Sequence, residues 1–441
     1  MNKSARVVTT RAAATAAVAA ATALVMMGNV VSAAPVGPID PVQATQGFLV
    51  MTEGNANLIG TENEGTLAVG GNLVFSQYQL ATVSAGNFFA PGENNPTALV
   101  VDGQVDFANS TPNTRLQILQ NGYAKIGNLN DTFVRDFDNN NVPANTRILP
   151  ANDYDASPRI ELVTNQSVPS VGPVSVIDFA EAFQTFRSNS TELATCQNTV
   201  VLRDPNGDPI SSPIPPGTNA VINLSANTTN VLNINSTDLD NIGILTFADQ
   251  PTASSPLLVN VSTTDVGDTF AWTAPNFAGI GGPEARFILF NFPTATALTL
   301  APGGATVEGT IYAPRADFTD LDQSNTEGSI IARTLEHRGG EIHDYPFSTT
   351  LACDSSSPTA TPTATPTGTP TATPTATPTG TPTADPTMTP TVTPSPTGTG
   401  LPITGSSSGS MLFTGSLAVL TGTALLLTLG LTHRRRRNAG S

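Results

Sequence analysis

The sequence predicts a mainly β domain wound as a solenoid, and three observations point to it. Short apolar stretches such as Gly65-Thr66-Leu67-Ala68-Val69-Gly70, Val221-Ile222-Asn223-Leu224, Val231-Leu232-Asn233-Ile234, Leu257-Leu258-Val259-Asn260-Val261 and Phe287-Ile288-Leu289-Phe290 are bounded by Gly, Asn, Pro and Asp, which is the pattern of strands separated by turns. Two phrases, Val307-Glu308-Gly309-Thr310-Ile311-Tyr312-Ala313-Pro314 and Thr326-Glu327-Gly328-Ser329-Ile330-Ile331-Ala332-Arg333, share the form Glu-Gly-small-Ile-x-Ala at an offset of 326 − 307 = 19 residues. A repeat of that length with glycine at a corner reads as successive rungs. Finally, the segment 34–354 exceeds the size at which a single core usually stops growing, a limit that elongated repeats escape.

Taken from the N-terminus, Lys3, Arg6 and Arg11 precede an apolar run from Ala12 to Met27 and then small residues. That order is a secretory leader, residues 1–33, with cleavage between Ala33 and Ala34. The strand-rich domain then occupies 34–354. One segment departs from the strand pattern: Val176, Ile177, Phe179, Ala180, Phe183 and Phe186 recur at helical spacing after Pro173. Ser175 and Asp178 stand as a near capping box, so the spacing predicts one long amphipathic helix over about Val176 to Ala194, its Phe stripe packed on the strands.

Cys196 and Cys353 are the only cysteines. Export places them where a disulfide forms and persists, so they are expected to pair. From Ser357 to Gly400 the chain alternates Thr and Pro with almost no large apolar side chain. Residues 355–400 are therefore expected to be a disordered, extended stalk, about 3.1 Å per residue in polyproline II.

Leu401-Pro402-Ile403-Thr404-Gly405 follows, then a polar spacer, an apolar run over 411–432 and a basic tail, 433–441, containing Arg434, Arg435, Arg436 and Arg437. The run is long enough to cross a bilayer as a transmembrane helix, and the arginines stop transfer with the domain outside. These elements match, in order, the LPxTG signal of sortase substrates. The resemblance implies that a sortase cysteine attacks the Thr404 carbonyl, Gly405 departs with the span, and Thr404 becomes joined to peptidoglycan. The expected location is outside the cell, covalently on the wall of a Gram-positive-type bacterium, with membrane contact only through the span before sorting.

The same ends hold seven of the 18 basic residues, so the exported part keeps 18 − 7 = 11 against 34 acidic ones. A net charge near 11 − 34 = −23 argues against nucleic acid as a partner.

Gly54-Asn55-Ala56-Asn57-Leu58 and Glu64-Gly65-Thr66-Leu67-Ala68-Val69-Gly70-Gly71-Asn72 resemble the opening rung of the choice-of-anchor A family of bacterial surface domains, with Thr66 where arginine is usual. Asn291-Phe292-Pro293-Thr294-Ala295, Gly309-Thr310-Ile311-Tyr312-Ala313-Pro314 and Gly339-Gly340-Glu341-Ile342-His343 before Phe347 resemble its closing rungs. The resemblance implies a right-handed parallel β-helix, similar in plan to ice-binding proteins, with a long helix alongside. It also implies adhesion to an extracellular protein or glycan.

Other chemistry has few candidates. Glu336-His337-Arg338-Gly339-Gly340-Glu341-Ile342-His343-Asp344 is the one dense cluster of acid, base or metal-capable groups, read as the structural cap of a terminal rung. Asp136 to Asn141 starts like a calcium loop but lacks its sixth-position glycine and distal Glu, so a solvated turn is expected. Asp238, Asp240, Asp320 and Asp322 read as further acidic corners. Lys125 is the one lysine left after the leader, the single donor available to a self-formed Lys-to-Asn crosslink. No cofactor and no enzymatic activity are expected. A carbohydrate-active β-helix enzyme is the rival reading, and ice binding, which needs a regular Thr array, is a third.

Overall fold

The computed structural model describes residues 35–355. The leader with Ala33 and Ala34, the stalk beyond Ser355, the sorting motif Leu401 to Gly405, the apolar run and Arg434 to Arg437 lie outside them. The described chain is mainly β and winds as a three-sided coil whose sides are parallel sheets. Along one side the strands stack in the order Tyr123–Ile126, Thr97–Val101, Leu67–Val69, Val50–Thr52, Ile330–His337, Thr310–Asp320, Ile288–Asn291, Leu257–Ser262 and Asn230–Asn235.

That order is not the chain order. The chain enters mid-stack at Val50–Thr52, climbs to one end at Tyr123–Ile126, and reappears at the opposite end in Asn230–Asn235. It then winds back until Ile330–His337 lies directly on Val50–Thr52, pairing Ile331 with Met51. The phrase read as a terminal cap is therefore interior: Glu341–His343 is sandwiched between Thr326–Glu327 and Glu62–Asn63.

The two repeated phrases lie on each other, with Val307 beside Thr326, Glu308 beside Glu327 and Ile311 beside Ile330. Gly309 and Gly328 hold the corner at φ 152° and 151°. A Cβ on Gly309 would sit 2.8 Å from the Phe290 ring and one on Gly328 2.7 Å from Gly309, so both backbone angle and space require glycine.

The long helix spans the gap in the winding. It runs Phe179–Leu193, starting three residues after the expected Val176. The reason is Asp178, whose carboxylate accepts from Glu181 N at 2.9 Å and so caps the helix there. Phe179, Ala182, Phe183, Phe186, Ser190 and Leu193 form its buried stripe. They pack on the outward residues Met51, Ala68, Val100, Leu258, Leu289, Tyr312 and Ile331, forming a second core outside the coil. The first core fills the coil with the alternate residues of the same strands, among them Val50, Leu67, Leu99, Val259, Phe290, Ile311 and Ile330.

The helix C-terminus meets polar residues instead. Asn233, Asn260 and Asn291 are neighbours in register, and each amide bonds the next, Asn291 Nδ2 to Asn260 Oδ1 at 2.9 Å and Asn260 Nδ2 to Asn233 Oδ1 at 3.0 Å. The same amides donate to the carbonyls of Ser190, Leu193 and Cys196, each at 2.9 Å. This ladder gives the carbonyls at the helix end a side-chain donor, beside the backbone N–H groups of Ala194 and Cys196 that Ser190 and Leu193 already accept from. Beyond it Cys196 and Cys353 form a disulfide with Cα atoms 5.6 Å apart. It fastens the helix end to Leu351–Asp354, which pairs antiparallel with Pro35–Ile39.

Candidate functional site on the carboxylate-rich side

Strand alternation divides the cluster 336–344. In Ile330–His337 the inward position falls on His337, which has no exposed surface. The chain then turns through Gly340, at φ 62°, into Glu341–His343, where Ile342 points in and Glu341 and His343 point out. Two histidines six positions apart thus end in opposite environments.

Outside, the sheet register builds two columns. One carries Glu308, Glu327 and His343, and the other carries Glu341, Glu62, Gln79, Gln117 and Glu161. His343 bridges them, with Nδ1 2.7 Å from Glu327 Oε1 and Nε2 3.2 Å from Glu341 Oε2. Glu64 accepts from Asp344 N at 2.9 Å, and Arg286 donates to the Asp344 carbonyl at 2.8 Å. The far end of the second column is neutralised, since Arg115, Arg147 and Arg159 all contact Glu161.

Partial burial and crowding raise the proton affinity of these carboxylates. Glu308 is pushed up to about 7, first by burial and then by Glu327, and its Oε2 is buried without a partner. Glu62, Glu327 and Asp344 are raised, in each case chiefly by burial. Burial opposes charge on His343, but Glu341 and Glu327 outweigh it and raise its pKa. The side thus offers acidic and hydrogen-bonding groups at strand spacing, with Glu308 poised to titrate at about 7. Among the described residues, no group of three or more His, Cys, Asp or Glu side chains is placed to hold a metal ion.

Inside the coil, Tyr78 Oη lies 2.9 Å from His337 Nδ1, and His337 Nε2 lies 4.0 Å from Asp320 Oδ2 with no hydrogen-bond partner. Burial drives both groups toward their neutral forms, His337 down to about 4 and Asp320 up to about 7. Asp320, Asp322 and Asp238 are at most 5% exposed, which corrects their reading as surface corners. Asp238 is buried because its carboxylate accepts from Ile214 N at 2.6 Å, and Asp320 because it accepts from Asp322 N at 3.1 Å. Asp240 alone of the four is exposed.

The third side bears the threonines. Its outward columns hold Thr269, Ala297, Asp317 and Thr334, and Ala271, Thr299, Thr319, Glu336, Asn57 and Val74. Arg333 pairs with Asp317 and Arg338 with Glu336, so ion pairs interrupt the hydroxyls. Asp136 to Asn141 forms the turn of an antiparallel hairpin, where Asp138 Oδ1 accepts from Asn140 N and Val142 N at 2.8 and 2.9 Å.

Two features were invisible to sequence reasoning. The asparagine ladder was hidden because Asn233 and Asn260 stand inside stretches read only as strands, and nothing along the chain sets them beside Asn291. Lys125 gave no sign of burial, yet its side chain is 4% exposed and touches Glu93, Ser170 Oγ and the Ser170 carbonyl.

A family model described as "Putative Ice-binding-like adhesive domain" matches residues 41–344. No curated protein matches the chain. Among solved structures, an ice-binding protein from an Antarctic biological consortium is 11% identical, with 72% of this chain and 92% of that chain covered and a TM-score of 0.26. A glycosylated ice-binding protein, LeIBP, from an Arctic yeast is 10% identical, covering 70% and 93%, at 0.23. A Shewanella frigidimarina ice-binding protein domain is 11% identical, covering 72% and 99%, at 0.22. At these scores the likenesses carry no argument.

Proposed function

The chain belongs to the family of ice-binding-like adhesive domains, and on that premise we propose that it is a surface adhesin fixed by a sortase to the cell wall of a Gram-positive-type bacterium. The family match over residues 41–344 is the observation that carries the adhesive reading. Anchoring rests on the ordered run of Leu401 to Gly405, an apolar stretch and Arg434 to Arg437. We take the domain to be of the choice-of-anchor A kind and its coil to be right-handed. In this reading, sortase and peptidoglycan are the partners at the C-terminus, and an extracellular protein or glycan is the partner of the coil. Many copies on one wall raise avidity above the affinity of a single site.

The carboxylate-rich side is the surface we assign to ligand contact, because its outward groups are acids and amides at regular spacing. Ice binding is the weaker reading, since the Thr side is broken by the Arg333–Asp317 and Arg338–Glu336 pairs.

Replacing Thr404 by Ala tests the anchor: the protein should leave the covalently wall-bound fraction for membrane or medium. Retention in sacculi boiled in detergent would overturn it. For the coil, the full chain applied to glycan and matrix-protein arrays should bind without releasing product. New reducing or unsaturated sugar ends would establish the carbohydrate-active reading in its place, and thermal hysteresis in concentrated protein would establish ice binding.

A further inference from the structure

Among the described residues, basic side chains are arginine at ten positions and lysine at one. The exception is the most deeply placed, with 4% of the Lys125 side chain exposed against 12% for Glu93, the carboxylate it touches. Arginine is the better residue for a purely ionic buried pair, because its planar fork engages both carboxylate oxygens. Here only Glu93 Oε1 is engaged, while Oε2 is buried with no partner. A buried pair with an unpaired oxygen is an expensive arrangement for a simple ion pair.

The surroundings fit a different chemistry. Ser170 Oγ accepts from Gln166 Nε2 at 2.9 Å and directs its own proton to Glu93 Oε1. Gln166 is itself fully buried and held by the Ala124 backbone through bonds of 2.8 Å on both sides of its amide. The Ser170 carbonyl accepts from Lys125 Nζ. One fixed donor thus faces a carboxyl oxygen and one fixed acceptor faces the amine nitrogen, which are the two partners that a secondary amide needs.

We propose that Lys125 and Glu93 condense into an intramolecular amide crosslink. The ammonium gives a proton to the carboxylate across their contact, leaving amine and acid in a site screened from water. Nζ attacks Cδ while Ser170 Oγ polarises Oε1. The C–N bond forms, the bond from Cδ to Oε2 breaks, and that oxygen leaves as water with one proton from the acid and one from the nitrogen. Two charges and the unpaired oxygen disappear. The remaining N–H donates to the Ser170 carbonyl, and Oε1 accepts from Ser170 Oγ. Holding nucleophile and carboxyl in contact supplies effective molarities on the order of 10⁵ M or more, which favours condensation over the free pair. The link fastens the loop 82–96 to Tyr123–Ile126, the end strand of the long sheet.

The full-length exported chain, reduced and denatured so that an ion pair cannot survive, should be lighter than its sequence by one water. Trypsin should fail to cut after Lys125, and the peptide 116–135 should appear joined to the peptide ending at Arg115. The Lys125→Arg chain should have its full sequence mass. Free peptides 116–125 and 126–135 with no mass deficit in the wild-type chain would overturn the proposal, as would a deficit that persists in Lys125→Arg.

Discussion

His337 and His343 belong to one short phrase, yet one is sealed inside the coil against Tyr78 and the other stands outside between Glu327 and Glu341. Their pKa values move in opposite directions for that reason: burial alone lowers His337 to about 4, while neighbouring carboxylates raise His343. The lesson is that residue type and spacing along the chain do not assign a chemical role. The parity of a residue within its strand does, because it selects packing or solvent.

Removing the inner ring should have the largest effect. His337→Ala leaves a cavity and an unpaired Tyr78 hydroxyl, and is expected to lower the unfolding free energy in urea by roughly 3 kcal/mol. It should also flatten the acid limb of the stability curve. With a folded pKa near 4 and an unfolded value near 6.5, the wild-type contribution of His337 is complete above 6.5 and is lost as pH falls through 4. A variant that kept the wild-type slope in this window would break the contrast.

Tyr78→Phe removes only the hydroxyl and strands His337 Nδ1, for an expected loss of about 1–2 kcal/mol by the same measurement. The ring packing of Tyr78 on His337, at 5.7 Å between centroids, is retained.

His343→Ala should be the mildest, about 1 kcal/mol, because His343 is partly solvated and its carboxylate contacts are screened more than the sealed Tyr78–His337 contact. Its pH sign is opposite. The contribution of a raised histidine is present below the unfolded pKa and fades as pH rises through the folded one, so the variant should differ from wild type in acid and converge with it in base. Measured in parallel across pH, the two histidine variants should therefore diverge from wild type at opposite ends of the scale.

Much of the local structure was readable. The Glu-Gly-small-Ile-x-Ala phrases stack because identical corner glycines and inward isoleucines recur at one period, and the Phe stripe marks a helix. What could not be read was the order of stacking. Nothing in Glu341-Ile342-His343 says that its neighbour is Glu62-Asn63, nearly three hundred positions earlier, since parallel pairing depends on which edge is open and not on adjacency in the chain. The same blindness hid the ladder of Asn233, Asn260 and Asn291, which gains meaning only when three distant strands lie side by side. The buried aspartates were missed because acidic residues between strands are usually solvated, whereas here backbone N–H groups inside the corners bond Asp238 and Asp320.

The junction of the two chain ends has a mechanical consequence. Tension applied beyond Ser355 reaches Cys353 after a single intervening residue and passes through the sulfur bridge to Cys196 at the foot of the helix. The bridge closes residues 197–352 into a loop, so these rungs cannot be peeled away from the C-terminal end of the domain. A pull that would unravel an ordinary winding from its last turn meets a covalent strut to the foot of the helix instead.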